Sequence, residues 1–145
     1  MLISALMQPS TILRSSTAFS VSLEKKGSHR LPLLKLSALS NETIDLDTAK
    51  RVFGVTEKLL ASGEDFESRW DIRCASTPRA DVTWASIKWA LKNTKLLREH
   101  NKRMGVLVSD SSVIRKVVSF VLRAAQVRCP VLVSSDENEI DEFLR

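Results

Sequence analysis

The stretch GVLVSDSSVIRKVVSFVLRAAQVRCPVLVSSD, residues 105–136, decides the fold class of this chain. Its first four residues predict a short buried strand, and the polar residues that follow can cap a helix on which Val113, Val117 and Phe120 recur at helical spacing. Residues 131–136 then repeat the strand and the cap. Because a helix joins the two strands, we expect them to lie parallel in one sheet.

More strands are expected on the amino-terminal side of this stretch. Residues 19–24 alternate apolar and polar side chains, as half-buried strands do, and residues 31–36 supply a hairpin partner. Residues 70–74 predict a third strand with one packed face. Together with the two later strands, they predict an α/β fold with a mixed four- to five-stranded sheet and parallel βαβ units.

About four helices are expected to connect and follow these strands. Asp45 or Asp47 can cap a helix that runs to about residue 62. One long helix is expected over residues 81–101, a third after residue 112, and a last one near Ile140. Strands that alternate with helices in this order indicate an α/β layer architecture.

Length and composition indicate one folded domain. The chain has 145 residues, of which 43% are hydrophobic and 27% charged, close to the globular average. No apolar run approaches the roughly 18–20 residues of a membrane-spanning helix. We expect the domain to occupy residues 19–145, preceded by a flexible extension or targeting segment over residues 1–18. The expected location is the cytoplasm, or an organelle matrix if residues 1–18 are a transit segment.

The net charge of +5 does not indicate a nucleic-acid partner, because the charges are spread along the chain. The one concentration, offset only by Glu99, consists of Lys88, Lys92, Lys95, Arg98, Lys102 and Arg103. Its four lysines lie with Glu99 on one arc of the long helix, without interleaved aromatic residues. Two apolar residues beyond this arc, Trp89 and Leu96, either extend the core or form a strip that meets a partner helix.

The sequence contains no recognisable catalytic or cofactor-binding motif. His29 and His100 are its two imidazoles and lack metal-ligand spacing, and no glycine-rich phosphate-binding loop is present. Cys74 and Cys129 lie in apolar stretches, where we expect free thiols in a reducing compartment. We therefore expect no catalysis, no cofactor and no metal. The enzyme alternative requires a pocket formed around Asp71, Asp110 or His100.

Polar segments follow the two later strands, at residues 109–112 and 134–136. Such segments at the carboxyl ends of parallel strands are either plain helix caps or part of a site for an anion or a partner. We interpret both segments as caps. A cleft above the strand ends that holds a small anionic or lipid ligand is the alternative.

The order and length of these elements resemble those of the STAS domain, found in anti-sigma-factor antagonists, sulfate-transporter tails and related lipid-transport subunits. The resemblance covers about four fifths of the chain, from residue 31 to residue 144. It rests on a sequence of segments: Leu33 to Leu36, Asp47 to Leu60, Trp70 to Arg73, Leu97 to Glu99, Arg103 to Val108, Ser112 to Ala125, Val131 to Val133, and Glu139 to Leu144.

The chain departs from this family at its phosphorylation motif. Kinase-regulated STAS domains have Asp-Ser-Ser-Gly where the long helix begins, with the first Ser phosphorylated. This chain has Thr83-Trp84-Ala85-Ser86 there, so Trp84 occupies the position of the phosphorylated Ser. Thr83 and Ser86 are the remaining candidate phosphorylation sites.

The resemblance implies a non-catalytic module that binds another protein in a regulatory or assembly role. The partner would be a kinase-like regulator, a transporter or an assembly subunit, and a homodimer is a further arrangement. The family meets its partners over the loop at residues 76–86 and the start of the following helix. The candidate partner-binding residues are therefore Thr83, Trp84, Ser86, Lys88 and Lys92. The alternative is a small anionic-ligand or lipid-binding protein of similar fold.

Overall fold

The computed structural model describes residues 10–15, 19–25, 30–38, 45–74 and 79–145. Its sheet contains six strands in chain order. The first three pair antiparallel and the last three join them in parallel. The α/β class and the parallel βαβ units predicted from the sequence are therefore confirmed. The strands are β1 Ser10–Ser15, β2 Phe19–Glu24, β3 Leu33–Ala38, β4 Phe66–Asp71, β5 Asn101–Leu107 and β6 Val131–Ser134.

The structure corrects the predicted domain boundary at residue 19. Strand β1 pairs with β2 from Ser10 opposite Glu24 to Ser15 opposite Ser20, so six residues of the expected extension belong to the sheet. An edge strand is held by backbone hydrogen bonds and needs no alternating apolar side chains, which is why its polar sequence gave no strand signal. Residues 1–9 and 16–18, the rest of the suggested targeting segment, lie outside the described residues.

Five helices lie in the described part of the chain. Helix α1 begins after Asp45, whose carboxylate accepts a hydrogen bond from the Thr48 amide at 2.8 Å and so caps the helix as predicted. The helices are α1 Leu46–Ala61, α2 Ala80–Lys92, α3 Thr94–His100, α4 Ser112–Ala124 and α5 Glu137–Phe143.

The predicted long helix is broken at Asn93 into α2 and α3. The side-chain Nδ2 atom of Asn93 donates to the Trp89 carbonyl at 2.9 Å, and the Thr94 hydroxyl donates to the Ala90 and Leu91 carbonyls. Polar side chains that occupy the backbone carbonyls in this way compete with continuation of the helix. The single helix expected over residues 81–101 is therefore wrong at this point.

The larger core lies between one face of the sheet and helices α1 to α4. Phe66 of β4 packs there with Leu34 of β3 and with Leu59 and Leu60 of α1. Trp89 extends this core, because its ring stacks on Phe53 with centroids 5.0 Å apart and its indole nitrogen donates to Glu57 at 2.7 Å. The other residue of the predicted strip, Leu96, stays 37% exposed.

The opposite face of the sheet is covered over β5 and β6 by the short helix α5. Ile140 and Leu144 are buried there against Leu33 and Leu107. A Cβ atom on Gly105 would lie 2.9 Å from the Ile140 Cγ2 atom, so the helix approaches the sheet as closely as a glycine permits. The buried Arg69 guanidinium of β4 adds hydrogen bonds to two acidic residues of this helix, Glu137 at 2.9 Å and Asp141 at 3.1 Å.

Candidate partner-binding surface

The carboxyl ends of the parallel strands meet at one edge of the sheet, where Asp71 ends β4. Its carboxylate accepts hydrogen bonds from the Arg73 guanidinium at 3.0 and 2.8 Å and from the Arg73 amide at 3.2 Å. Partial burial disfavours the charged carboxylate, but these bonds and the charges of Arg73 and Arg69 outweigh it and lower the pKa of Asp71 below its ordinary value of 3.8. Asp71 is thus a structural anion at the start of the loop that leads to α2.

The lowered pKa of Asp71 predicts a loss of stability in acid. The contribution of its carboxylate to the free energy of unfolding is complete above the ordinary pKa and is lost as the pH falls through the lowered one. Asp71→Asn is expected to be less stable than the wild type at about pH 7 and to approach it near pH 2. Urea unfolding at both pH values measures this, with the exposed Asp110→Asn as control. A difference that is the same at both pH values would contradict it.

Both polar segments that follow the later strands act as helix caps, as predicted. The Ser111 hydroxyl accepts a hydrogen bond from the Ile114 amide at the start of α4, and the Asp136 carboxylate accepts one from the Asn138 amide at the start of α5. Arg115 of α4 donates to the Ser135 hydroxyl at 2.9 Å and so connects the two segments. The hydrogen bonds of these polar groups hold the two loops in place.

The residues of the enzyme alternative do not meet. Asp71 and Asp110 follow β4 and β5 at the carboxyl edge of the sheet, whereas His100 precedes β5 at the opposite edge, with its Nδ1 atom 2.9 Å from Asp65. The cysteines are likewise apart and both are free thiols: Cys74 is exposed after β4, and burial raises the pKa of Cys129, which lies before β6. Among the described residues, no three His, Cys, Asp or Glu side chains are arranged to hold a metal ion.

The predicted partner-binding residues divide between two sides of α2. Trp84 is 55% exposed, and Lys88 and Lys92 follow it on the same outward side. The hydroxyl groups of Thr83 and Ser86 instead donate to their own helix, at the Arg79 and Val82 carbonyls, and both residues are half-buried. Residues 76–78 of the predicted binding loop lie outside the described residues.

A second aromatic residue, Phe120 of α4, lies beside Trp84. The two rings meet edge to face with centroids 6.2 Å apart, and Phe120 is 45% exposed. Val113 lies seven residues before Phe120, on the same side of α4, and Leu91 lies seven residues after Trp84, on the same side of α2; both are also exposed. We call these residues, Trp84, Leu91, Val113 and Phe120, the Trp84–Phe120 surface.

The α4 half of this surface was not predicted from the sequence. The apolar spacing of Val113, Val117 and Phe120 was compatible with a core-facing side, but α4 buries Ile114 and packs Val118 on the sheet instead. The matching seven-residue spacings of Trp84 with Leu91 and of Val113 with Phe120 were the available signal. The packing of α2 against α4 places these two pairs of residues side by side and facing outward. The spacing of residues along the sequence does not reveal this packing.

A small apolar depression lies elsewhere on the same side of the sheet. It is bounded by α2, α3 and the end of α4, and its lining includes Ala90, Leu97, Met104, Ala125 and Cys129. It is located near the starts of β5 and β6, whereas the ligand alternative placed a cleft above the ends of the strands.

The architecture of this chain can be compared with that of proteins of known structure. In the described residues, six strands, four helices on one face of the sheet and one short helix on the other form an α/β domain. A solved structure from Shewanella loihica PV-4, described as an uncharacterized protein of the DUF3478 family with a SpoIIAA-like fold, superposes with a TM-score of 0.65. The alignment covers 91% of this chain and 98% of that one at 13% sequence identity. The SpoIIAA-like fold is the fold of STAS-type anti-sigma-factor antagonists, so the fold predicted by resemblance is confirmed.

Sequence comparisons do not assign the chain to a protein family. No protein-family model matches the chain, and no curated protein matches it significantly. In the described residues, every helix is too short or too polar to cross a lipid bilayer.

Proposed function

We propose that this chain is a non-catalytic protein-interaction module, with a regulatory or assembly role, that binds its partner through the loop at residues 76–86 and the start of α2. The observation that carries the proposal is the exposure of Trp84 at the start of α2, in contact with Phe120, which is also exposed. Clustered exposed apolar side chains mark interaction sites, and tryptophan is enriched among the residues that contribute most to binding.

Lysine side chains support the same face. Lys88 and Lys92 are exposed one and two turns after Trp84, and α2 carries one acidic residue, Asp81, which is paired with Arg79 at 2.8 Å. Uncompensated positive charge beside an apolar contact raises the association rate with an acidic partner and weakens with salt. Thr83 and Ser86 stay candidate phosphorylation sites on the inward side of the same helix.

An affinity capture from the native source tests the proposal. We expect the wild type to retain one stoichiometric protein that the double variant Trp84→Arg with Lys88→Glu loses. The matched control is Leu96→Arg with Lys95→Glu on α3, which makes the same changes of charge and polarity at exposed positions. Calorimetry with the purified partner should then give a dissociation constant at least about tenfold higher for the first variant.

Two results would overturn the proposal. Retention of the same protein by both double variants would mean that the start of α2 is not the binding face. Recovery of a co-purifying small molecule by mass spectrometry, with no retained protein, would replace the proposal with the ligand-binding alternative.

A further inference from the structure

The Trp84–Phe120 surface forms a continuous strip across two helices. Helices α2 and α4 each return from the end of one parallel strand to the start of the next, so they run in the same direction. Leu91 therefore lies about 10 Å beyond Trp84 in one direction, and Val113 about 10 Å beyond Phe120 in the other, at 1.5 Å per residue. The strip is about 20 Å long, which matches an α-helix of about 14 residues.

Positive charge lies along both sides of this strip. Lys88 and Lys92 flank it on α2, and Lys116 and Arg123 flank it on α4; all four are exposed. Among the interactions of the described residues, none of these four side chains has an ion pair. Helix α4 has no acidic residue, and the single one on α2, Asp81, is neutralised by Arg79. The strip is therefore apolar along its centre and cationic along its edges.

We infer that the Trp84–Phe120 surface binds an acidic amphipathic helix of the partner protein. Such a helix presents an apolar stripe with anchors at helical spacing, and carboxylates beside the stripe would meet the four cations. The strip has cations along both edges, and a single amphipathic helix has polar residues on both sides of its apolar stripe, so the two arrangements match. This inference rests on the proposed function and names the chemistry of the partner for the same face.

Fluorescence anisotropy with a labelled synthetic peptide tests the inference. The probe is a helical peptide of about 14 residues with leucine or phenylalanine at positions that share one face and glutamate beside them. We expect micromolar binding that weakens about tenfold or more with Trp84→Ala or Phe120→Ala, since both are exposed anchors. Lys88→Glu with Lys116→Glu should weaken binding at low salt and have little effect at high salt.

Matched controls distinguish recognition of an acidic amphipathic helix from nonspecific binding. Lys50→Glu with Lys58→Glu makes the same change of charge at exposed positions of α1 and should leave binding unchanged. A peptide of the same composition whose apolar residues do not share a face, and one with lysine in place of glutamate, should bind at least about tenfold more weakly.

Several results would overturn the inference. Equal binding of all three peptides, no binding, or binding insensitive to Trp84 and Phe120 would each reject an acidic helix. Sedimentation with vesicles of phosphatidylcholine and phosphatidylserine that depends on Trp84 would make a membrane the occupant. A dimer in analytical ultracentrifugation that Trp84→Ala dissociates would make it a second copy of this chain. If the captured partner depends on Trp84 while the peptides fail, the proposed function stands and this inference falls.

Discussion

Phe66→Ala is expected to lower the free energy of unfolding by about 3–5 kcal/mol. Phe66 is 1% exposed and belongs to the cluster that joins β2 and β3 to α1, so truncation removes its buried area and leaves a cavity. Urea unfolding followed by circular dichroism measures the change. A loss below about 1 kcal/mol would mean that this cluster does not carry the main core.

Phe120→Ala is the matched control for that experiment. The same substitution at a residue that is 45% exposed should cost about 1 kcal/mol or less, mostly from the lost edge-to-face contact with Trp84. The same variant is expected to impair peptide binding strongly. The two phenylalanines thus separate stability from recognition, and equal destabilisation by both substitutions would contradict the assignment of Phe120 to a surface.

Ile140→Ala is expected to lower the free energy of unfolding by about 2–5 kcal/mol, whereas Ile140→Val should cost about 0.5–1.5 kcal/mol. Ile140 is fully buried between α5 and the sheet, where it packs with Leu33, Leu107 and Leu144. Because α5 is short, we also expect faster amide hydrogen exchange over residues 137–143 in the alanine variant. If amide hydrogen exchange is unchanged and both variants lose the same free energy of unfolding, α5 does not depend on this side chain.

The fold class was predictable because its signals are local. The strand, cap and helix of residues 105–125 repeat within one short stretch, and the Asp45 cap follows from a carboxylate three residues before the amide that it binds. Strand β1 was not predictable in this way, because its place depends on backbone pairing with β2. The break at Asn93 has a local cause, but a polar residue there is also compatible with an unbroken helix.

The candidate site was predictable only in its α2 half. The resemblance pointed to Trp84, Lys88 and Lys92, which do share an exposed side. Phe120 joins them through a contact between residues far apart in the chain, and no local pattern encodes such a contact. The ion pairs of Arg69 with Glu137 and Asp141 are long-range in the same sense, with about 70 residues between the partners.

In the described part of the chain, α5 covers only part of the second face of the sheet, so β2 and β4 are expected to differ in their sensitivity to mutation. Along β2, buried Phe19, Val21 and Leu23 alternate with half-buried residues, whereas β4 is buried continuously from Phe66 to Arg69. On the second face of β4, Arg69 is paired with α5 and Glu67 with Arg103 of β5. A complete substitution scan should therefore show tolerance with a period of two along β2. Along the first four positions of β4, nearly every replacement should be selected against.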